Sequence, residues 1–352
     1  MKSLIFDFNQ PELASIFTSW GEPSYRTDQV WKGLYQHFWG APDDFSNLPR
    51  SLRLKLGDYF SFSHLTNSNS LSSSDGETRE IVFLLPDGQS VETVLMGYTS
   101  RRSLCISTQA GCAMGCSFCA TGQMGFRRNL TSGEIVEQVL YFSRVLKAEG
   151  DRLTNIIVMG MGEPFHNYDA TMMAMEKLNQ PDGFNLGARR ITISTVGLVP
   201  SIRKFTLEHR QYNLAISLHA ADDNLRSSML PINRKYPLNE LIPACLDYVT
   251  QTHRRITFEW ALIKDVNDSP EQAQKLVNLI SPLNIKGTWL CHINLIPLNP
   301  TAGYNGEGSN KKRAQIFKAE MEKHSIPCTI RLRRGIDIQA GCGQLAGKAI
   351  ST

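Results

Sequence analysis

The amino-acid sequence predicts an α/β protein in which a small helical domain and a β-hairpin precede a parallel sheet, closed or half closed into a barrel. Three observations support this prediction. Aromatic residues recur at helical spacing in about the first 60 residues, two strand-like runs flank an Asp-Gly turn, and short apolar strands alternate with helices from residue 103 onward. Alternating strands and helices indicate a parallel sheet.

The first two parts of the chain differ in composition. Residues 1–64 form the predicted helical domain, and we expect core packing to account for its many aromatic residues. Residues 65–100 form the predicted connector. Within it, residues 65–77 are polar and rich in serine, which predicts a loop, and residues 78–85 and 90–96 are predicted strands around Asp87-Gly88.

Residues 101–352 form the predicted barrel domain. A capping box, Thr131 to Glu134, marks the start of the helix that follows the first barrel strand and its cysteine loop. Polar residues follow several strands, and barrel enzymes build their sites at the carboxyl ends of strands. The predicted strands cover residues 104–108, 155–159, 190–194, 213–218, 256–261, 289–295 and 329–332.

The composition describes an ordinary globular protein, with 41% apolar and 20% charged residues in a chain of 352. The net charge of +4 permits an RNA partner without indicating one. No apolar run is long enough to span a bilayer, and the first ten residues do not follow the plan of a signal peptide. We therefore expect a cytoplasmic protein, in which closely spaced cysteines indicate metal binding or catalysis more often than disulfides.

Three cysteines, Cys112, Cys116 and Cys119, form a C-x₃-C-x₂-C loop after the first barrel strand. Three thiolates on a four-iron cluster leave one iron open, and that iron can chelate the amino and carboxylate groups of S-adenosylmethionine and pass an electron to its sulfonium. Gly111 and Gly115 suit a backbone that wraps tightly around the cluster. A zinc site would want a fourth ligand, usually from a second C-x₂-C pair, which the sequence lacks. The loop predicts a [4Fe–4S] cluster that cleaves S-adenosylmethionine reductively.

Further motifs give the chain a family resemblance. Besides the loop, these are Gly162-Glu163, the Ser217-Leu218-His219 run and the tail of residues 335–345 with its Cys-Gly-Gln-Leu. With them, nearly the whole chain resembles the RlmN/Cfr family of radical S-adenosylmethionine RNA methyltransferases. The resemblance implies a partial (β/α)₆-type radical SAM barrel that methylates carbon 2 of adenine 2503 in 23S rRNA and of adenine 37 in tRNA.

The resemblance also implies cofactors and partners. Two S-adenosylmethionine molecules are used per turnover, one as methyl donor and one as radical source, together with the [4Fe–4S] cluster. The partners are 23S rRNA, tRNA and a reducing electron donor such as flavodoxin or ferredoxin. We expect a monomer with no membrane partner.

The family's catalytic roles map onto three residues. Cys342 would carry a methyl group, from which the deoxyadenosyl radical takes a hydrogen so that the methylene can add to the adenine ring. Cys105 would resolve the resulting adduct by taking a proton and closing a transient disulfide with Cys342. Glu92 is a lone charge among apolar neighbours, and burial would raise its pKa toward that of a usable acid or base. From the pattern alone, Glu92 is equally compatible with an exposed edge carboxylate.

The resemblance assigns a further set of residues to the cofactor. Six short basic clusters could together supply an RNA-binding track, although each is by itself typical of a solvated face. The cofactor residues are Gly162, Glu163, Ser194, Ser217, Leu218, His219 and Asn299. The clusters are Arg101-Arg102, Arg127-Arg128, Arg189-Arg190, His253-Arg254-Arg255, Lys311-Lys312-Arg313 and Arg333-Arg334.

Three alternatives stay open on the sequence. The first is methylation of carbon 8 of adenine, as in the other branch of the family: Pro164 favours the carbon-2 branch, whereas residues 335–338 are more similar to the other. The second is a non-catalytic iron–sulfur RNA-binding protein, which would not need an open iron or a cysteine between two glycines in the tail. The third, weaker than both, is a zinc-binding structural module.

Overall fold

A ten-stranded mixed sheet forms the frame of the protein, described by a computed structural model over residues 2–346. The strands lie in the sheet in the order in which they occur in the chain. β1 to β4 form an antiparallel meander, and β4 to β10 run parallel to one another. The strands are β1 (Thr66–Ser72), β2 (Thr78–Leu84), β3 (Ser90–Tyr98), β4 (Arg101–Cys105), β5 (Asn155–Val158), β6 (Ile191–Thr195), β7 (Asn213–Ser217), β8 (Ile256–Leu262), β9 (Cys291–Pro297) and β10 (Cys328–Ile330).

Helices connect the parallel strands, so the six units from β4 to β9 confirm the predicted (β/α)₆ plan. The outer strands β1 and β10 do not pair with each other, which makes the barrel partial. No helix within residues 2–346 is long and apolar enough to cross a bilayer. The helices are α1 (Gln10–Ser19), α2 (Tyr25–Lys32), α3 (Arg50–Tyr59), α4 (Ala120–Gln123), α5 (Ser132–Ala148), α6 (Tyr168–Asn179), α7 (Val199–Leu207), α8 (Asp223–Met229), α9 (Leu238–Thr252), α10 (Pro270–Ile280) and α11 (Lys311–Lys323).

The predicted capping box starts α5. The Thr131 hydroxyl accepts a hydrogen bond from the Glu134 backbone N–H at 3.2 Å, and the Glu134 carboxylate accepts one from the Thr131 N–H at 3.0 Å. These bonds satisfy two backbone donors that the first helical turn would otherwise leave unpaired. The helix behind them is buried along most of its length, which fixes the direction in which the chain leaves the cysteine loop.

The N-terminal helices α1 to α3 pack around aromatic side chains, as predicted. Trp31 and Tyr35 are almost fully buried, with ring centroids 4.3 Å apart. The buried Lys177 ammonium of α6 joins this domain to the barrel, because it donates to the backbone oxygens of Phe6 at 2.6 Å and Asp7 at 2.8 Å. The N-terminal domain is thus fastened to the barrel by a charged group inside the protein.

The prediction of a loop over residues 65–77 is wrong. Thr66–Ser72 is strand β1, which pairs antiparallel with β2 at the edge of the sheet. An edge strand has solvent beside it and can therefore carry polar side chains. The serines and asparagines of β1 led to the prediction of a loop for this reason. The predicted hairpin is confirmed, because β2 and β3 pair from Leu84 and Ser90 outward around the Asp87-Gly88 turn.

Some strand bounds differ from the predicted ones. The first barrel strand is β4, Arg101–Cys105, and not residues 104–108, because the chain turns after Cys105 toward a separate two-stranded sheet. That small antiparallel sheet, Gln109–Gly111 with Phe126–Asn129, carries the cysteine loop. Two other short pairs are Ser3–Leu4 with Phe60–Ser61, and Asn284–Ile285 with Thr288–Trp289.

Candidate active site

The cysteine loop depends on glycine at its first position. Gly111 has a φ of +72°, and a Cβ placed there would lie 1.9 Å from the backbone oxygen of Gly125. The neighbouring Cys112 N–H donates to that same oxygen at 3.0 Å. Only glycine permits this close approach together with a left-handed backbone.

The loop brings three thiols into one region. Cys112 and Cys116 are buried and Cys119 is half-buried. Burial raises the pKa of all three thiols, that of Cys112 to about 12, so iron must displace their protons on binding. No group of three His, Cys, Asp or Glu side chains within residues 2–346 is arranged around a single metal ion. Three thiols on one loop suit the larger iron–sulfur cluster, which Cys112, Cys116 and Cys119 would hold.

A cleft with about 840 Å³ of empty space opens beside two of these thiols, Cys116 and Cys119, at the carboxyl ends of the parallel strands. Leu218 does not line this cleft; it is fully buried, and its N–H donates to the Glu259 backbone oxygen at 3.0 Å. The other six predicted cofactor residues do line it: Gly162, Glu163, Ser194, Ser217, His219 and Asn299.

Glu163 is held in place by backbone N–H groups. Its two carboxylate oxygens accept hydrogen bonds from the N–H of Phe165 and of Val196, both at 2.9 Å. Burial raises the pKa of Glu163 to about 7, although these hydrogen bonds lower it. A carboxylate has about four acceptor positions, so Glu163 can fix the turn after β5 and still accept from a ligand ammonium.

His219 is a neutral imidazole at the end of β7. Its Nδ1 accepts a hydrogen bond from the Ala261 N–H at 3.0 Å, which assigns the proton of the neutral ring to Nε2. Burial, together with the nearby Arg226 charge, lowers its pKa to about 3. The ring meets Phe118 edge to face, with centroids 5.1 Å apart. His219 therefore contributes a hydrogen-bond donor and an apolar face, without a charge.

Asn299 joins the cleft to the C-terminal tail. Its Nδ2 donates to the Cys342 backbone oxygen at 3.1 Å, and a Cβ on Gly341 would lie 2.5 Å from the same nitrogen. Its Oδ1 is buried, with no hydrogen-bond partner among the described residues. A buried acceptor without a partner suits a donor from a bound ligand.

Cys342 and Cys105 line a second pocket, with about 500 Å³ of empty space. Both cysteines are free thiols. Cys342 also lines the cleft and so borders both cavities, whereas Cys105 lines only the second pocket. The Gly343 backbone oxygen accepts a hydrogen bond from the Ala120 N–H at 2.8 Å, which places the Cys342 loop against the cysteine loop.

The environment of Cys105 is mostly apolar. Burial raises the pKa of its thiol to about 12, the nearby Cys342 raises it further, and the Arg331 guanidinium opposes both. Glu92 lies on β3 and is 1% exposed, which confirms that it is a buried carboxylate. It lines neither cavity, and its Oε1 accepts from the Ala346 N–H at 3.3 Å, so it lies behind the tail.

Two residues of the site were missed on the sequence. Arg331 lines the second pocket, and its Nη1 lies 3.7 Å from the Met159 sulfur. Glu259 lines the cleft; burial raises its pKa, and it accepts a 2.7 Å hydrogen bond from Asn294. As a lone charge inside the apolar strand β8, Glu259 carried the same sequence signal as Glu92.

Comparison with known proteins assigns this fold and site to a class of enzyme. Residues 106–277 match the Radical SAM superfamily, and residues 4–61 match the ribosomal RNA large subunit methyltransferase N-terminal domain. The barrel, the three-cysteine loop and the cleft thus define a radical S-adenosylmethionine enzyme, which uses a [4Fe–4S] cluster and S-adenosylmethionine.

Relatives narrow this class to one family. The probable dual-specificity RNA methyltransferase RlmN of Chloroflexus aurantiacus is 46% identical over 98% of this chain and 93% of that protein. Dual-specificity RNA methyltransferase RlmN 1 of Myxococcus xanthus is 45% identical over 97% and 93%. The crystal structure of a radical SAM methyltransferase from Sphaerobacter thermophilus matches with a TM-score of 0.94 and 46% identity, covering 98% of this chain and 100% of that one. The chain belongs to the RlmN family of radical S-adenosylmethionine methyltransferases.

Proposed function

We propose that this protein methylates carbon 2 of adenine 2503 in 23S rRNA and of adenine 37 in tRNA, through a methyl group carried on Cys342. Family membership supports RNA as the substrate, because similar proteins bear the name dual-specificity RNA methyltransferase. The observation that carries the proposal is the position of Cys342, which lines both the cofactor cleft and the pocket of Cys105.

The chemistry of the target explains why a carrier is needed. Carbon 2 of adenine lies between two ring nitrogens and is electron-poor, so it does not attack a sulfonium methyl group as a nucleophile. When bound, the cluster and S-adenosylmethionine supply a carbon radical that abstracts hydrogen from a methyl group. Two S-adenosylmethionine molecules are consumed, one to methylate Cys342 and one as the radical source.

The residues divide the work between the two cavities. The Cys342 thiolate attacks the methyl carbon of S-adenosylmethionine, the bond from that carbon to the sulfonium sulfur breaks, and S-adenosylhomocysteine leaves. Cys342 then presents the methyl group to the cleft that Cys116 and Cys119 line. Glu163 accepts from the ammonium of the methionine moiety, while the neutral His219 and the free oxygen of Asn299 bind the rest of the cofactor.

After the methylene carbon has joined the adenine, Cys105 completes the reaction. Its thiolate takes the proton from carbon 2 of the radical adduct, which passes one electron to the oxidised cluster. Once Cys105 has given up this proton again, its thiolate attacks the Cys342 sulfur, so that the electron pair of the carbon–sulfur bond leaves with the carbon and a disulfide closes. The released carbon takes up a proton to become the methyl group. Glu92 is the acid or base that the family resemblance assigns; because it lines neither cavity, it would act on this carbon through an intervening group. A reducing donor such as flavodoxin or ferredoxin restores both thiols, and the enzyme acts as a monomer.

Nucleoside analysis tests this function. Protein reconstituted anaerobically with iron should convert protein-free fragments of 23S rRNA and tRNA, so that mass spectrometry finds 2-methyladenosine. Finding 8-methyladenosine as the main product would instead place the protein in the carbon-8 branch. A protein that binds iron and RNA but forms no 5′-deoxyadenosine would be the non-catalytic alternative.

The cluster is tested separately. Reconstituted protein should contain about four irons at this site, and Cys112→Ala should lose both the iron and 5′-deoxyadenosine formation. Cys245, a buried cysteine of α9 that lines neither cavity, provides the matched control, and Cys245→Ala should retain both. Stoichiometric zinc with no visible absorbance would contradict the cluster assignment.

A further inference from the structure

A strip of arginine side chains leads to the pocket that holds Cys105 and Cys342. Arg331, Arg333 and Arg334, from the tail directly after β10, line this pocket. Arg101, at the start of β4, continues the strip, because Arg101 and Arg334 share one aromatic ring. Their Cζ atoms lie 4.2 Å and 5.2 Å from the centroid of Tyr98. We call Arg101, Arg331, Arg333 and Arg334 the arginine strip.

Two of the four arginines of the strip have no carboxylate partner inside the described part of the protein. Arg334 pairs with Asp75 at 3.2 Å. Arg101 and Arg333 form no ion pair with a carboxylate within the part of the chain that the structure describes, whereas the charge of Arg331 interacts with the buried carboxylate of Glu259. Arg101 and Arg333 are also exposed to solvent. Arg101 and Arg333 are therefore available to a negatively charged partner.

Other arginines among the basic clusters differ in this respect. Arg128 pairs with both Asp87 and Glu134, and Arg313 pairs with Asp265 and Asp268. Their guanidinium groups are occupied by internal carboxylates. Among the predicted basic clusters, the strip is set apart by its position, because it borders the pocket that Cys105 and Cys342 line.

An exposed aliphatic side chain lies inside the strip. Leu332 lies between Arg331 and Arg333, lines the same pocket and is 63% exposed. An apolar surface flanked by guanidinium groups fits a nucleotide, which has an apolar base face and an anionic phosphate. Guanidinium groups also match phosphate oxygens in a bidentate geometry.

We propose that the arginine strip binds the phosphodiester backbone on both sides of the target adenosine, in a single-stranded segment of RNA. This inference rests on the proposed function, because an adenine that reaches Cys342 and Cys105 must leave its base stack. The phosphates of its neighbours then lie outside the pocket, beside Arg333 and Arg101. Arg331 faces the inside of the pocket, next to the target nucleotide itself.

The salt dependence of RNA binding tests the strip. The probe is a single-stranded RNA oligonucleotide with the target adenosine and its flanking sequence, followed by fluorescence anisotropy at several salt concentrations. The variants are Arg333→Gln, the double variant Arg101→Gln/Arg333→Gln and a control, Arg255→Gln, which removes an exposed arginine that lines neither cavity. Thermal unfolding of each variant checks that it is folded.

Each phosphate contact that is lost should reduce the slope of log K against log salt by about 0.7 for a single strand, so the double variant should lose about 1.4. Arg333→Lys should keep most of the slope, because the phosphate interacts mainly with the charge. If the double variant has the same slope as wild type and Arg255→Gln, the strip does not bind the RNA backbone.

Nucleoside analysis of the same wild-type protein separates this inference from the proposed function. Suppose that 2-methyladenosine forms and the slope of log K against log salt is unchanged in the double variant. This result would overturn the proposal that the arginine strip binds RNA, and would leave the proposed function intact. A reduced slope in a protein that methylates no RNA would overturn the proposed function and support the strip as an RNA site. A wild-type protein that neither binds nor methylates the RNA would overturn both.

Discussion

Cys342 and Cys105 line the same pocket, but of these two only Cys342 also lines the cleft beside Cys116 and Cys119. This asymmetry gives the two thiols different access to the cofactor. It follows from the tail, which returns after β10 and is fixed by Asn299 on one side and by the cysteine loop on the other.

Gly111→Ala should prevent iron binding. The new Cβ would need the space of the Gly125 backbone oxygen, 1.9 Å away, so the start of the loop must move. Gly125→Ala is the matched control, because Gly125 has the same φ of +72° but no atom within 4 Å of the position that its Cβ would take. The control should cost about 1–2 kcal/mol of stability and retain iron, as measured by iron content and thermal unfolding. Equal iron contents in the two variants would refute the steric argument.

Asn299→Ala should weaken S-adenosylmethionine binding by roughly 3- to 10-fold, the effect of one net hydrogen bond. The variant removes the buried acceptor in the cleft and also the donor to the Cys342 backbone oxygen. Equilibrium dialysis of reconstituted protein measures the affinity. Asn278→Ala, on the exposed side of α10, should bind like wild type. Unchanged binding in Asn299→Ala would mean that the cofactor does not use this oxygen.

His219 should make the iron-free protein less stable in mild acid. Its pKa is about 3 in the folded protein against 6.5 ordinarily, so below pH 6.5 the unfolded chain binds a proton that the folded chain does not. The contribution of His219 to the free energy of unfolding is fully present above pH 6.5. It is lost as the pH falls below 6.5, by about 1.4 kcal/mol per pH unit. Urea unfolding between pH 7.5 and 5.5 should therefore show a smaller loss for His219→Gln than for wild type. Identical pH dependences would exclude this role.

Lys177→Met should loosen the N-terminal domain. The substitution leaves the backbone oxygens of Phe6 and Asp7 without their donor inside the protein, at a cost of about 2 kcal/mol in the free energy of unfolding. Lys204→Met, which removes an exposed ion pair with Asp169, should change stability by less than about 1 kcal/mol. Urea unfolding compares the two variants, and equal effects would show that the buried ammonium does not fasten the domain.

The sequence predicted those parts of the fold and site that local patterns encode. The cysteine spacing indicated the cluster loop, and the capping box indicated the start of α5. Strand β1 was not predicted, because its pairing with β2 is made by the backbone and its polar side chains resemble those of a loop.

Arg331 was not predicted as a residue of the site, for a different reason. It reaches the site only because β10 pairs in parallel with β9, which places residue 331 beside the second pocket. Spacing along the chain carries no signal for such a contact. Leu218 shows the opposite case, in which a residue within a site motif is buried beneath the cleft and does not line it.

The division of labour between Cys342 and Cys105 is the central claim. A denaturing gel of each alanine variant, after incubation of reconstituted protein with S-adenosylmethionine, a reductant and labelled RNA, tests it most directly. Cys105→Ala can still be methylated on Cys342 and add to the adenine, but it lacks the thiol that breaks the carbon–sulfur bond. A stable protein–RNA band should therefore appear for Cys105→Ala and be absent for Cys342→Ala and for the double variant. If the two single variants behave alike, with a band for both or for neither, the roles assigned to the two thiols are wrong.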